Sequence, residues 1–152
     1  MVVPAERNPR IRVAALMIWR DEIVLVRHMK DHLEYHLLPG GGVDWGETLH
    51  HALKREVLEE TGILCSPQDL LFVHDSIDPA GQRHVVNIYF SAHIDDLHYA
   101  KTSLDHRVVG IDFVNPDDLT RLDLRPPIAL DLIAFLHDVS GFRPRYTGSG
   151  YA

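Results

Sequence analysis

The sequence predicts a single domain of the α/β class, in which a mixed sheet carries only a few helices. The chain has 152 residues, enough for one compact core but short for two. Its residues are 45% apolar and 24% charged, the composition of an ordinary globular protein. Short runs rich in β-branched residues outnumber the segments that repeat apolar residues at helical spacing. These observations together favour a strand-rich α/β domain.

The first elements along the chain are predicted to be strands. Residues 13–19 and 23–26 are β-branched-rich runs on either side of the polar pair Arg20-Asp21, a pattern typical of a β-hairpin. Residues 35–38 indicate a further strand, which ends where a proline and three glycines force a loop.

A central helix is predicted over Leu49–Thr61, which contains neither proline nor glycine. Thr48 can cap its first turn, because a hydroxyl oxygen accepts a hydrogen bond from an unpaired helical N–H group. Gly62 can end it, because glycine adopts the left-handed conformation that commonly closes a helix.

The second half of the chain is predicted to contain three strands and two helices. The strands are expected at residues 70–77, 85–94 and 108–114, with a turn at 78–81. Asn115 is expected to cap a short helix that begins at Pro116, and residues 128–139 form a last helix. Residues 141–152 show neither pattern, so the prediction is one domain over 1–140 and a flexible tail.

Charge and cysteine content exclude several classes of function. A formal charge of −7 argues against a nucleic-acid binder, which needs clustered Lys and Arg. It is compatible with a small phosphorylated substrate, because a bound cation inverts the local field. Cys65 is the single cysteine, and no run of residues suits a signal peptide or a membrane span. We therefore expect a cytoplasmic protein without a membrane partner.

Three glutamates on the central helix indicate a metal site. Glu56, Glu59 and Glu60 are spaced i, i+3, i+4 and therefore share one side of the helix. That side overlaps the apolar stripe, whereas a solvated charged face would lie opposite it. Crowded carboxylates beside a core repel one another unless a cation neutralises them, and their oxygens suit Mg²⁺ or Mn²⁺. Taken alone, the triplet also fits an ordinary charged helix end.

The residues around the triplet resemble the box of the Nudix hydrolase family, G-x5-E-x7-R-E-U-x-E-E-x-G-U, where U is aliphatic. The fixed positions are matched by Gly41, Glu47, Arg55, Glu56, Glu59, Glu60 and Gly62. Val57 and Ile63 match the aliphatic positions. The resemblance implies an α/β/α sandwich fold and hydrolysis of a diphosphate bridge.

The resemblance also implies a metal centre and a set of roles. Glu56 and Glu60 would be the main ligands of Mg²⁺, with Mn²⁺ as an alternative, and the Gly40 carbonyl a further ligand. Glu59 would be an additional ligand or the base that activates water. Arg55 would orient the carboxylates.

Two further residues complete the implied catalytic set. Glu47 would hold Arg55 in place. In the loop before the strand at 108–114, where many members carry a glutamate, this chain has Asp105, which is a second candidate for the base.

The substrate is indicated less directly. Pro79 lies sixteen residues beyond Ile63, a spacing similar to that of ADP-ribose pyrophosphatases, so ADP-ribose or a nucleoside diphosphate sugar is favoured. Trp45 and His84 are candidates for binding the base or ribose. The alternatives are a nucleoside di- or triphosphate pyrophosphohydrolase, a non-catalytic nucleotide sensor, and isomerase chemistry on an isoprenoid diphosphate. A homodimer is left open.

Overall fold

The computed structural model describes residues 7–97 and 107–150, which form two sheets, two α-helices and a 3₁₀ helix. The strands are β1 (Arg10–Leu16), β2 (Ile18–Trp19), β3 (Glu22–Lys30), β4 (Leu33–Leu37), β5 (Gly40–Gly42), β6 (Leu64–Ile77), β7 (His84–Asp96), β8 (Val108–Val114) and β9 (Arg145–Ser149). The helices are α1 (Leu49–Thr61) and α2 (Ala129–His137), and the 3₁₀ helix covers Pro116–Arg121. None of the helices in these ranges is both long and apolar enough to cross a bilayer.

The larger sheet has five strands in the order β5-β1-β7-β6-β9. It is mixed, because β1 runs parallel to β7 and β6 parallel to β9, whereas the β1–β5 and β6–β7 pairs are antiparallel. In the smaller sheet, β3 pairs with β2, β4 and β8, all antiparallel. The mixed sheet and the small number of helices confirm the predicted fold class.

The predicted hairpin at residues 13–26 is wrong for most of its first strand. Only Ile18 and Trp19 pair with β3, across a turn in which Arg20 and Asp21 adopt positive φ angles of 49° and 66°. Residues 10–16 join the larger sheet instead, between β5 and β7. The physical reason is burial, because residues 13–17 alternate between two cores and need neighbours on both faces of the sheet.

The two cores lie on opposite sides of the β structure. On one side α1 packs through Ala52, Leu53 and Val57 in a core that also contains Phe90 of β7. On the other side Leu132 and Phe135 of α2 share a core with the apolar positions of β1 and β3 that face them. Helix α1, the two sheets and helix α2 therefore form three layers, which is the α/β/α arrangement that the resemblance implied.

Helix α1 begins and ends where its sequence predicted. The Thr48 hydroxyl oxygen accepts a hydrogen bond from the His51 N–H at 3.1 Å, and Gly62 has a left-handed φ of 73°. The Asn115 cap is also confirmed, since its side chain accepts from the Asp117 N–H.

Strand β9 lies where the sequence indicated no regular element. Its residues pair with β6 at the edge of the larger sheet. His74 stabilises it through its two ring nitrogens, which lie 3.1 Å from the Thr147 hydroxyl and 3.3 Å from the Gly150 carbonyl oxygen. The sequence of β9 shows no alternation of apolar residues. Because polar contacts hold the strand in place, hydrophobic periodicity could not predict it.

Candidate active site

The glycines of β5 bring the backbone of the sheet against the side chains of α1. The Gly40 N–H donates a hydrogen bond to Glu60 Oε1 at 3.2 Å. A Cβ atom at Gly41 would overlap the carboxylate of Glu56, and one at Gly40 would overlap the backbone of β1 at Val13. The absence of a side chain at Gly41 therefore allows the Glu56 carboxylate to approach β5, and its absence at Gly40 allows β5 to lie close against β1.

Arg55 connects the loop before α1 with the carboxylates of the helix. Its guanidinium donates to both carboxylate oxygens of Glu47, to Glu56 Oε1 at 2.7 Å and to the Gly42 carbonyl oxygen at 3.1 Å. A longer bond of 3.4 Å reaches Glu59 Oε2. The structure thus brings together Arg55 and Glu47, which the sequence analysis had paired.

The same contacts perturb the protonation of this pair. The hydrogen bonds from Arg55 and from the Asp44 N–H lower the pKa of Glu47 to about 2. The bonds to Glu47 and Glu56 raise the pKa of Arg55 above its ordinary value. Both groups are therefore charged at neutral pH, and the guanidinium is fixed in place by a permanent anion.

The three glutamates differ in their access to solvent. The side chains of Glu60 and Glu56 are 12% and 22% exposed, whereas that of Glu59 is 58% exposed. Two of the carboxylates are therefore enclosed beside β5, and the third lies towards open solvent. This difference follows from the helix geometry, since Glu56 and Glu60 are one turn apart and both adjoin the buried stripe.

The donor set suits a hard divalent cation. The carboxylates of Glu56 and Glu60 lie against β5, and the backbone carbonyl of Gly40 belongs to the same strand. Oxygen donors of this kind are the ligands that Mg²⁺ prefers. Within residues 7–97 and 107–150, no three His, Cys, Asp or Glu side chains converge as a preformed metal-binding group. Because the Glu56 carboxylate already pairs with Arg55, a cation would compete with that guanidinium for it.

Trp45 and His84 occupy different environments. Trp45 is fully exposed in the loop between β5 and α1, close in sequence to the candidate site. His84, at the start of β7, lies with its Nε2 atom 3.4 Å from Asp75 of β6. The Tyr146 hydroxyl donates to the other oxygen of Asp75 at 2.7 Å, and these contacts lower the pKa of Asp75. The structure thus groups His84 with Asp75 and Tyr146, and not with the glutamates of α1.

Two further residues from the sequence prediction are the alternative base and the cysteine. Asp105, the alternative base, lies outside the described residues. Cys65 is buried in the core beneath α1, and burial raises its pKa to about 11. A thiol held in its neutral form is a poor acid–base or nucleophilic group, so the isomerase alternative gains no support.

One histidine at the candidate site was not predicted from the sequence. His28 of β3 is 6% exposed, and its Nε2 atom lies 4.0 Å from Glu60 Oε2. A signal was present, because Val24, Val26 and His28 are alternate residues of β3 and therefore share one face of the strand. The pairing of β3 with this side of the helix is a tertiary property, which alternation alone does not give.

Comparison with known proteins identifies relatives of the chain. The ADP-ribose pyrophosphatase of Methanocaldococcus jannaschii is 33% identical over 84 residues, which are 55% of this chain and 50% of that protein. The human 8-oxo-dGDP phosphatase NUDT18 is 38% identical over 64 residues, which are 41% of this chain and 20% of that protein. The chain therefore spans half or less of the length of these relatives.

Solved structures share the fold over most of the chain. A NUDIX hydrolase from Nitrosomonas europaea matches with a TM-score of 0.76 at 23% identity, over 89% of this chain and 93% of that chain. The MutT NUDIX hydrolase of Burkholderia pseudomallei matches with a TM-score of 0.64 at 30% identity, over 73% of this chain and 86% of that chain. A family model for the NUDIX domain matches residues 8–138. The chain therefore belongs to the NUDIX family, as its sequence box predicted.

Proposed function

We propose that the protein is a Mg²⁺-dependent pyrophosphohydrolase that cleaves the diphosphate bridge of a nucleoside diphosphate derivative. One observation carries this proposal: the carboxylates of Glu56 and Glu60 are enclosed against the glycine strand β5. Two acidic side chains and a backbone carbonyl at one place provide oxygen donors for a cation that would neutralise a diphosphate.

The proposed ligands are Glu56, Glu60 and the Gly40 carbonyl. When bound, Mg²⁺ supplies charge neutralisation at the phosphate oxygens and lowers the pKa of an attacking water. The backbone N–H groups that precede α1 lie at a helix N-terminus, which favours phosphate oxygens. The substrate is thus held between the loop and the carboxylate side of α1.

The remaining residues direct the attack of water on one phosphorus atom. Glu59 is the most exposed of the three glutamates, and we assign it the role of accepting the water proton. As the new P–O bond forms, the bridging P–O bond breaks and its electron pair leaves with the second phosphate. Arg55 fixes the orientation of Glu56, and Glu47 fixes Arg55. Asp105 is the alternative base.

ADP-ribose or a nucleoside diphosphate sugar is the proposed substrate class. The match to the Methanocaldococcus jannaschii protein, named an ADP-ribose pyrophosphatase, supports it, as does the position of Pro79. The second candidate is hydrolysis of nucleoside di- or triphosphates, supported by the match to a protein named an 8-oxo-dGDP phosphatase. The single cysteine is compatible with a reducing compartment, and we propose the cytoplasm.

A substrate panel with product identification by mass spectrometry tests the proposal. The wild-type chain with Mg²⁺ is expected to release a nucleoside monophosphate and a second phosphorylated fragment from ADP-ribose or an NDP-sugar. Faster product formation from nucleoside di- or triphosphates than from ADP-ribose and NDP-sugars would favour the second candidate, a nucleoside di- or triphosphate pyrophosphohydrolase. No product from any compound, combined with tight nucleotide binding, would favour a sensor and overturn the enzymatic assignment.

Glu60→Gln tests the metal assignment within the same assay. Loss of a metal ligand is expected to lower kcat by about 100-fold or more, because metal-assisted charge stabilisation is worth several kcal/mol. The matched control is Glu34→Gln, which removes the same charge from β4, where Glu34 pairs with Arg27 at 3.6 Å. Turnover by Glu60→Gln equal to that of the control would show that Glu60 holds no essential ion.

A further inference from the structure

His28 and Glu60 form an enclosed pair of potential metal ligands. Their side chains are 8% and 12% exposed, and Nε2 of His28 lies 4.0 Å from Oε2 of Glu60. The other carboxylate oxygen of Glu60 accepts from the Gly40 N–H. That bond fixes the carboxylate so that its second oxygen is the one facing the imidazole.

The imidazole packs against an aromatic ring of the neighbouring strand. Tyr35 is the cross-strand partner of His28 in the β3–β4 pair, with the two ring centroids 5.4 Å apart. The guanidinium of Arg125 lies over the Tyr35 ring, 4.4 Å from its centroid. A cation over an aromatic ring is attracted by the negative face of the ring, so Arg125 stabilises the position of Tyr35. The contact with Tyr35 thereby restricts the rotamer of His28.

We propose that His28 is a nitrogen ligand of the divalent ion in the active site. The inference rests on the proposed function only in taking Glu60 as a metal ligand. Two donors that share one ion, at bond lengths of about 2.1 Å, are separated by about 3 Å when adjacent and about 4 Å when opposite. The 4.0 Å separation of His28 and Glu60 lies within this range. A small rotation of either side chain gives the shorter value.

A nitrogen donor changes which ion the site prefers. Carboxylate and carbonyl oxygens suit Mg²⁺ and Mn²⁺, whereas imidazole favours the later first-row ions such as Co²⁺. With His28 as a ligand, this chain binds Co²⁺ more tightly, relative to Mg²⁺, than an all-oxygen site does. Occupancy in a cell then depends on metal availability as well as on affinity.

Pulsed electron paramagnetic resonance of the Mn²⁺-loaded, substrate-free chain tests the ligand directly. A ¹⁴N modulation from a coordinated imidazole is expected in the wild type and is expected to be lost in His28→Gln. The control is His93→Gln, which alters a histidine on β7 that is 66% exposed and pairs with Asp95. The control is expected to keep the ¹⁴N signal. Because the wild-type spectrum is itself informative, the test holds even if His28→Gln does not fold.

Metal affinities provide a second readout. Calorimetry on substrate-free protein is expected to show a loss of Co²⁺ affinity of about 10-fold or more in His28→Gln, the scale seen when metal ligation is disturbed. Mg²⁺ affinity is expected to change by less than about 3-fold, since Mg²⁺ gains little from imidazole.

Several results would overturn the inference. A wild-type spectrum without ¹⁴N modulation, or absence of metal binding, excludes His28 as a ligand. An equal loss of Co²⁺ and Mg²⁺ affinity indicates a packing role, and unchanged affinities with a raised KM place His28 on the substrate. Activity is measured separately. A ¹⁴N signal without diphosphate hydrolysis supports the inference and contradicts the proposed function, whereas hydrolysis without a ¹⁴N signal does the reverse.

Discussion

Arg55 is the residue on which the local geometry of the carboxylates depends. Its five N–H donors are shared among three carboxylates and one backbone carbonyl, those of Glu47, Glu56, Glu59 and Gly42. A lysine could not make these contacts together, because its single ammonium lacks the planar arrangement of donors. The guanidinium therefore keeps one carboxylate of α1 in a defined position before any cation binds.

The ion pair between Glu47 and Arg55 predicts a pH-dependent contribution to stability. The pKa of Glu47 is lowered from 4.5 to about 2, so the folded state binds a proton less readily than the unfolded chain. Its stabilising contribution is therefore complete above pH 4.5 and declines as the pH falls towards 2. We expect Glu47→Gln to lower the free energy of unfolding at pH 6, and the difference from the wild type to shrink at pH 3.

Urea unfolding of both proteins at the two pH values measures this effect. Asp44→Asn is the matched control, since Asp44 reaches Arg55 at 3.5 Å but its side chain is 79% exposed. Exposed pairs contribute little, so this variant should show almost no difference from the wild type at either pH. A difference for Glu47→Gln that is the same at both pH values would contradict the linkage.

At the scale of elements, α1 is set by signals local to its own sequence. The hydroxyl of Thr48 accepts from the His51 N–H, one of the first helical N–H groups that lack a partner in the helix. Thr48→Ala is expected to lower the free energy of unfolding by about 1 kcal/mol. Chemical denaturation monitored by circular dichroism measures it. Thr48→Ser keeps the oxygen and should stay close to wild type, and equal losses in both variants would show that the cap contributes nothing.

Local signals of this kind explain what the sequence could predict. The helix, its caps and the strand at 108–114 follow from residues close together in the chain, and each is observed. The loop predicted at the three glycines is wrong, because Gly40–Gly42 pair with β1 as strand β5. The pairing of Glu47 with Arg55 was implied by the resemblance to a family box. By contrast, the parallel pairing of β1 with β7 joins residues more than seventy positions apart, and no local pattern encodes it.

Local sequence patterns also could not predict which residues meet at the candidate active site. His28, Tyr35 and Arg125 come from separate elements, and only the packing of the smaller sheet beside α1 places the histidine next to Glu60. His84 illustrates the same limit. The sequence made it a candidate for binding the base or ribose, and the strand order, which no local pattern encodes, places its partner Asp75 three strands away from β5.

At the scale of the whole molecule, two separate cores flank the β structure. Ile63 belongs to the core beneath α1, and Ile128 to the core beneath α2. Each is fully buried, so Ile63→Val and Ile128→Val are each expected to cost about 0.5–1.5 kcal/mol. Among the described residues, the two cores share no member, so the double variant should equal the sum within about 0.5 kcal/mol.

Denaturant unfolding of the two single variants and the double variant measures this additivity. A conservative change was chosen so that the double variant remains folded. A double variant more than about 1 kcal/mol away from the sum would mean that the sheet transmits strain between the cores, in conflict with two independent layers.

Trp45 gives the molecule a built-in optical probe. It is one of two tryptophans and is fully exposed in the loop between β5 and α1. Trp19, the other, is 37% exposed at the end of β2. A hydrated indole emits at longer wavelength and is readily quenched by acrylamide. If a nucleotide covers the loop, its addition to the Glu60→Gln variant should shift the emission to shorter wavelength and reduce quenching. Trp45→Phe should abolish that response. An unchanged spectrum at saturating ligand would place the indole outside the binding surface. With the expected shift, the chain reports its own ligand occupancy without a label.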